Sequence, residues 1–100
     1  MNPHDSRALI ACAAQLYVVG EQEKGLELAE RALGQAENDP NVLYNGACFY
    51  ARLGNIDRSL ELLARAVELG YGNRAWVETD SALDSLRADP RYIALLKSMH

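Results

Sequence analysis

The sequence has few residues of the types that usually carry chemistry. Its 100 residues include only two cysteines and two histidines, and His4 and His100 lie at its two ends. It contains no His-Glu-x-x-His motif, no cluster of cysteine and histidine, and no glycine-rich phosphate loop. Most carboxylates fall at helix-capping or solvent-facing positions. We therefore predict no catalytic residue, no metal site and no cofactor, and an enzyme is the least favoured class of function.

Long apolar runs and clusters of basic residues are absent as well. No apolar run approaches the roughly 18 residues that a membrane helix requires, and the polar start Met-Asn-Pro-His-Asp does not resemble a signal peptide. Ten basic and fourteen acidic residues give a net charge of −4, and the basic residues are dispersed. Because phosphate binding needs clustered Lys and Arg, we expect no nucleic-acid partner, no membrane partner and a cytoplasmic location.

The two cysteines, Cys12 and Cys48, lie in neither a Cys-x-x-Cys motif nor the neighbourhood of a histidine. We interpret them as a reduced pair in a cytoplasmic protein. A disulfide between them is the alternative, and the spacing does not exclude it. The hydrophobic fraction of 49% and the charged fraction of 24% are those of an ordinary globular chain. At this length we expect a single domain over residues 1–100.

What the sequence does contain is an internal repeat of 34 residues. Such self-similarity at a fixed period is typical of a stacked helical array. Identical residues recur at this offset in eight pairs: Leu9 and Leu43, Ala13 and Ala47, Gly20 and Gly54, Leu26 and Leu60, Glu27 and Glu61, Leu28 and Leu62, Arg31 and Arg65, and Ala32 and Ala66.

Each repeat is predicted to form two helices separated by a glycine. In the second repeat, Asp39-Pro40 is a helix start and Gly54 is a helix end. Asn55 caps the following helix, which ends at Gly70. The first repeat follows the same plan, with Asp5 or Ser6 as its cap and Gly20 as its break. The alanines at positions 13, 32, 47 and 66 are predicted to lie where helices approach closely, and Glu27–Arg31 and Glu61–Arg65 to form surface ion pairs.

These positions resemble the tetratricopeptide repeat family. The second repeat carries Leu43, Gly46-Ala47, Tyr50, Leu63 and Ala66 at the family's positions, and the first carries Leu9, Cys12-Ala13, Leu16, Ala29 and Ala32. The resemblance implies an all-α fold of two antiparallel helix-pair repeats in a right-handed solenoid, followed by capping helices. We assign the repeats to residues 6–36 and 40–70 and the capping segment to residues 71–98.

The segment after Gly70 departs from the repeat and is similar to the segment that follows the last repeat of many bacterial proteins. That similarity implies an origin in a bacterial regulatory or signalling protein. An open array needs a terminal cap over its last apolar face. We predict that the face is covered by Trp76, Val77, Leu83, Leu86, Tyr92, Leu95 and Leu96. For Trp76, the alternative to this covering role is binding of a partner.

The function implied by the resemblance is binding of a protein or peptide in the concave groove that the first helices line. Asn45 can bond a peptide backbone with both donor and acceptor, and Tyr44 offers a rigid contact surface. Capping or bridging of neighbouring helices is the alternative for Asn41 and Asn45. By the repeat offset, the exposed lining is predicted to comprise Arg7, Ile10, Ala14, Tyr17, Asn41, Tyr44, Asn45, Cys48 and Arg52, flanked by Ala11, Val18 and Ala51.

Self-association is the alternative function. The apolar residues Ile10, Tyr17 and Val18 of the first repeat would then be buried between two copies in a homodimer. Some members of the family grip acidic carboxyl-terminal tails with Lys and Asn. Ile10 and Ala14 occupy the corresponding positions of the first repeat, so we expect no binding of such tails.

Replacing Tyr44 and Asn45 with Ala is expected to weaken binding of a partner while leaving helicity intact, because both residues are predicted to face the groove. Affinity measurements and circular dichroism on the double variant test this expectation, and an unchanged affinity would contradict the groove assignment.

Overall fold

The computed structural model describes residues 6–99, with side chains described from residue 9 onward. Asp5, His4 and His100, and the side chain of Arg7, therefore lie outside the described residues. The described residues form helices joined by short turns and contain no β-strand. Its elements are α1 (Ser6–Val18), α2 (Gln22–Gln35), α3 (Pro40–Leu53), α4 (Ile56–Glu68), α5 (Arg74–Thr79), a 3₁₀ helix (Ser81–Leu86) and α6 (Pro90–Ser98).

The helices α1 and α2 form one antiparallel pair and α3 and α4 form a second, which confirms the predicted all-α class with helix-pair repeats. The residues that start and end the helices are those that the sequence indicates. Asp39 accepts hydrogen bonds from the backbone N–H groups of Asn41 and Val42, and Asn55 accepts one from Arg58. The glycines at positions 20, 54 and 70 adopt φ angles of 92°, 85° and 108°, the left-handed conformation that favours glycine.

Small residues lie where the helices approach most closely. Ala13, Ala32, Ala47 and Ala66 are fully buried, as predicted. Gly25 of α2 belongs to the same set, because a Cβ at this position would lie 2.8 Å from the carbonyl oxygen of Ala13 in α1. The distance between the helices of the first pair is therefore set by a contact of backbone on backbone.

A glycine also allows the two repeats to pack. A Cβ on Gly46 of α3 would lie 2.9 Å from the Cδ2 atom of Leu33 in α2 and 3.4 Å from the Cδ1 atom of Leu62 in α4. The hydroxyl of Ser59, the one polar residue in the core of the described chain, donates to the carbonyl of Ala47 at 2.6 Å.

The terminal segment covers the second repeat, as predicted. Val77, Leu83 and Leu86 are almost completely buried, and the hydroxyl of Ser85 donates to the carbonyl of Ala51 in α3 at 3.0 Å. The prediction for Trp76 is wrong. The short helix α5 directs its Val77 side into the core, so that Trp76 is 55% exposed.

Neither of the two predicted surface ion pairs, Glu27–Arg31 and Glu61–Arg65, is formed among the described residues. Glu61 pairs with Arg58 at 3.0 Å, whereas Arg65 contacts Glu68 and Asn38. The predicted Glu61–Arg65 pair is thus not formed, because a pair three residues apart is reached equally well on a helix surface. Exposed pairs of this kind add at most about 1 kcal/mol each, so the exchange does not alter the fold.

The two glycines of α2 that lie within the helix are expected to respond oppositely to the same substitution. Gly25→Ala should lower the free energy of unfolding by about 1–3 kcal/mol, because the new methyl group meets backbone. Gly34→Ala should raise it by up to about 1 kcal/mol, because a Cβ there meets no atom within 4 Å. Urea unfolding of both variants measures this, and a Gly25→Ala variant as stable as Gly34→Ala would contradict the packing described.

A concave groove beside the cap as candidate functional site

A groove of about 350 Å³ runs between α1, α3 and the beginning of the cap. Both first helices of the repeats contribute to it, and the third wall comes from α5 and the residues that follow it. We call it the concave groove. It is lined by Ile10, Ala11 and Ala14 of α1, Tyr44, Asn45, Cys48, Phe49 and Arg52 of α3, and Trp76, Asp80 and Ala82.

Tyr44 forms the floor of the concave groove and holds the cap in place. Its side chain is only 4% exposed, and its hydroxyl donates a hydrogen bond to Oδ2 of Asp80 at 2.5 Å. Its ring stacks on that of Tyr71, with centroids 4.4 Å apart and planes 7° from parallel. Burial, and then the bond to Asp80, raise the pKa of Tyr44 well above its ordinary value. The phenol is therefore a neutral, fixed donor.

Asp80 connects three parts of the chain through its two carboxylate oxygens and its carbonyl group. Oδ1 accepts from the backbone N–H of Ala82 and so caps the 3₁₀ helix. Oδ2 accepts from Tyr44 and from Sγ of Cys48, which lies 3.6 Å away. Its backbone carbonyl accepts from Arg87 at 2.9 Å. Asp80 therefore helps to fix the position of the cap relative to α3, together with the bond from Ser85 to Ala51.

Cys48 lies beside this network as a protonated thiol. Burial, followed by the nearby charge of Asp80, raises the pKa of Cys48 to about 12. Because the thiolate is the nucleophilic form of cysteine, this environment suppresses its reactivity near neutral pH. Cys12 and Cys48 are both free thiols, so the alternative of a disulfide between them is not realised.

Three polar or aromatic side chains stand at the rim of the concave groove. Trp76, Asn45 and Arg52 are all exposed. Neither the amide of Asn45 nor the guanidinium of Arg52 bonds to another side chain or to the backbone of the described residues. The backbone of Arg52 is fixed, since its carbonyl accepts from the hydroxyl of Tyr17 at 3.3 Å. The rim thus presents two polar groups that are free to bind a ligand.

The structure brings together six of the nine residues predicted for the binding surface, namely Ile10, Ala14, Tyr44, Asn45, Cys48 and Arg52. Tyr17 and Asn41 lie outside the concave groove, and the side chain of Arg7 lies outside the described residues. The alternative of helix capping or bridging has no counterpart in the described structure, because the side-chain amides of Asn41 and Asn45 bond to no described residue. Whether these residues bind a partner stays a prediction.

Three residues predicted to be exposed are buried instead. Ile10 is 3% exposed, and Ala51 and Tyr44 are almost equally inaccessible. The physical reason is that the cap covers α3, where Tyr44 bonds to Asp80 and the carbonyl of Ala51 accepts from Ser85, while Ile10 belongs to the core cluster. Tyr17 also packs inward, edge-on to Phe49 with ring centroids 6.2 Å apart.

The exposed apolar surface of the first repeat is therefore not the one that the sequence predicted for self-association. Ile10 is already buried within the chain, and the half-buried Tyr17 packs against Phe49, so both offer less surface to a second copy than predicted. Val18 and its neighbour Val19, in contrast, are 72% and 69% exposed. They lie at the end of α1, beside the turn at Gly20. An exposed apolar site remains on the first repeat, but it is smaller and lies at the turn.

The described residues provide no second kind of site. No three His, Cys, Asp or Glu side chains between residues 6 and 99 are grouped so that they could hold a metal ion. In the same stretch, none of the helices combines the length and the apolarity needed to span a lipid bilayer.

Known proteins with tetratricopeptide repeats are similar to this chain. The mouse interferon-induced protein with tetratricopeptide repeats 3 is 37% identical over 73 residues, which are 73% of this chain and 18% of that protein. Interferon-induced protein with tetratricopeptide repeats 2 of Cricetulus griseus is 34% identical over 77 residues, or 77% of this chain and 16% of that protein. A chloroplastic protein of Arabidopsis thaliana is 32% identical over 81 residues, covering 78% of this chain and 24% of that protein.

The chain therefore spans less than a quarter of the length of these relatives. No protein-family profile matches the sequence, and no solved structure matches it. The relatives support assignment of the chain to the tetratricopeptide repeat family, in agreement with its helix pairs.

The bond between Tyr44 and Asp80 is expected to control stability and its dependence on pH. Tyr44→Phe should lower the free energy of unfolding by about 1–3 kcal/mol near neutral pH, because it removes a hydrogen bond to a carboxylate. The folded state raises the pKa of Tyr44, so the unfolded phenol ionises first. The stability due to Tyr44 is therefore present below about pH 10 and is lost as the pH rises further.

Urea unfolding of both proteins between pH 7 and pH 11.5 tests this expectation. The difference between wild type and Tyr44→Phe should be constant below about pH 9 and should shrink above about pH 10. Tyr50, whose pKa is raised to about 12 by burial and by its bond to Glu30, contributes equally to both proteins. A difference that does not change with pH would contradict the role assigned to Tyr44.

Proposed function

We propose that this chain is a protein-interaction module that binds a peptide or a helix in its concave groove. The observation that supports the proposal is the rim of the groove, where the exposed Trp76 lies with an amide and a guanidinium that bond to no described residue. The proposed partner is a protein rather than a nucleic acid or a membrane, and the proposed activity is binding rather than catalysis.

Trp76 is the proposed anchor for an apolar side chain of the partner. It is the only tryptophan of the chain, and more than half of its surface is exposed beside the groove. Burying exposed apolar surface gains about 25 cal/mol per Å², and tryptophan is enriched among the residues that dominate the energies of interfaces. The α1 side of the groove, with Ala11 and Ala14 above the buried Ile10, supplies the opposite apolar wall.

Asn45 and Arg52 are the proposed polar contacts. They are seven residues apart on α3, which is two helical turns or about 10.5 Å along the axis. An extended peptide spans this distance with about three residues. The amide of Asn45 can donate to and accept from one peptide unit, and Arg52 can pair with a carboxylate. Cys48 between them offers a small, neutral surface.

The narrower form of the proposal is an adaptor role within a larger regulatory or signalling protein that acts in the cytoplasm. Its support is that the relatives are several times longer than the matched segment, and that the two thiols are free. The relatives come from animals and a plant, so a bacterial origin rests on the likeness of the terminal segment alone.

Self-association is kept as a second candidate because of one observation, the exposure of Val18 and Val19 at the turn of the first repeat. Two adjacent exposed valines would be buried if two copies met at this turn. Sedimentation over a range of concentrations separates the two candidates. A monomer at every concentration excludes self-association and leaves binding of a different partner.

Peptides selected from a random library displayed on phage provide the test. Binding of a selected peptide in the concave groove should change the fluorescence of Trp76. Asn45→Ala and Arg52→Ala should each weaken binding about tenfold, equivalent to about 1.4 kcal/mol. The matched controls Arg31→Ala and Ile93→Ala remove exposed side chains outside the groove and should leave the affinity unchanged.

Tyr44 requires a different substitution from the one that the sequence suggested. Because it anchors the cap, Tyr44→Ala would disturb the fold as well as the groove, and Tyr44→Phe is the appropriate variant. The proposal is wrong if no peptide is selected, or if the selected peptides bind the Asn45 and Arg52 variants as tightly as the wild-type chain.

A further inference from the structure

A cavity of about 770 Å³ lies between the second helices α2 and α4 and extends to α6. It shares no lining residue with the concave groove. We infer that this outer groove is a second docking surface, which takes a basic amphipathic helix of a partner protein. We define it by Glu30, Leu33, Gly34 and Glu37 of α2, Arg58, Glu61, Leu62, Ala64, Arg65, Val67 and Glu68 of α4, together with Leu43, Leu95 and Ser98.

The floor of the outer groove is apolar. Leu33 and Leu62 meet over Gly46 of α3, where a Cβ would displace them. Leu43 and Leu95 extend the floor at its sides. Their side chains are buried or half-buried, so the floor is part of the core and is fixed. Above this floor, the half-buried Leu95 and Val67 and the exposed Ala64 are the apolar side chains that a ligand can reach.

The rim of the outer groove carries an excess of negative charge. Four glutamates and two arginines line it, which leaves a net charge of −2. Both arginines are engaged, Arg58 with Glu61 and the ring of Tyr50, and Arg65 with Glu68 and Asn38. Glu37 is exposed and has no partner among the described residues. Charge complementarity therefore favours a basic partner.

The same charge argues against a second copy of this chain as the occupant. The whole chain has a net charge of −4, so two copies repel each other over most of their surfaces. The outer groove is also separate from the exposed valines at positions 18 and 19, which are the site that self-association would use.

Gly34 indicates how closely the partner approaches. It lies on the exposed side of α2, its φ is not positive, and a Cβ on it would meet no atom within 4 Å. Glycine costs up to about 1 kcal/mol relative to alanine in a helix, and no contact within the described chain requires it. Together with the exposed Ala64 across the groove, it leaves room for the backbone of a partner helix.

The length of the outer groove indicates the length of the partner helix. α2 has 14 residues and α4 has 13, so each is about 20 Å long. A partner helix of similar length has apolar residues at i, i+3 or i+4, and i+7 as its anchors, the arrangement used when a helix binds in a groove. Lysine or arginine on both sides of this apolar row would face the glutamates of the rim.

A displayed library of amphipathic 14-residue helices tests the inference. The library has leucine at fixed i, i+3, i+7 and i+10 positions, and the flanking positions vary among Lys, Glu, Gln and Ala. Binders are selected on the wild-type chain and counter-selected on the Gly34→Leu variant. This variant fills the outer groove, and because position 34 is open, it should fold normally.

The expected result is a set of selected peptides enriched in lysine at the flanking positions. Their affinity should fall about tenfold for Glu37→Lys, a change of about 1.4 kcal/mol. Glu27→Lys is the matched control, since it makes the same change of charge on α2 outside the outer groove. The selected peptides should bind the Glu27→Lys variant as tightly as the wild-type chain. The same is expected of Trp76→Ala, which alters only the concave groove.

Three results would overturn the inference. The first is that no peptide survives counter-selection. The second is that the survivors are not enriched in lysine. The third is that Glu27→Lys weakens binding as much as Glu37→Lys, which would show a general attraction to acidic surface rather than docking in the outer groove. Because the concave groove is tested with different variants, the two surfaces can succeed or fail separately.

Discussion

The hydrogen bond from Tyr44 to Asp80 is the interaction on which the arrangement of the molecule depends. It joins the middle of α3 to the residue at which α5 ends and the 3₁₀ helix begins. The carboxylate that accepts it also caps the 3₁₀ helix, so the position and the local folding of the cap have one origin. With the cap fixed here, Val77 turns into the core and the neighbouring Trp76 is left at the rim of the concave groove. Stability and the proposed binding surface are thus coupled through a single contact.

Close approach of the helices is the second constraint, and it shapes both grooves. Backbone meets backbone where Gly25 faces the carbonyl of Ala13, which sets the separation of α1 and α2. Gly46 lets Leu33 and Leu62 meet above α3, and these two leucines form the floor of the outer groove. The first helices lie on one side of the molecule and the second helices on the other. A repeat of two helices consequently offers two independent surfaces of different character, one with an exposed aromatic ring and one with an acidic rim.

The similarity to proteins with tetratricopeptide repeats agrees with this architecture, and it names no partner. The rim of the concave groove is formed by Asn45 and Arg52 of the second repeat and by Trp76 of the cap. None of them is required for packing, because all three are exposed. Such positions can change without loss of the fold, which explains how one architecture serves different partners. The specificity of this chain is therefore to be sought in those residues and not in its core.

The sequence by itself determined the number of helix pairs, their ends and the residues of their close contacts. These features follow from local chemistry: Asp39 and Asn55 bond to the helix that each one begins, Gly54 adopts a conformation that other residues resist, and alanine or glycine recurs wherever two helices touch. Only the tertiary structure decided that Tyr44 is buried, that Trp76 is exposed and that Asp80 bonds to Tyr44. The cap departs from the 34-residue period, so no offset from the repeats predicts its placement. A contact such as that between positions 44 and 80 joins residues far apart in the chain, and its formation depends on how the whole cap packs against α3.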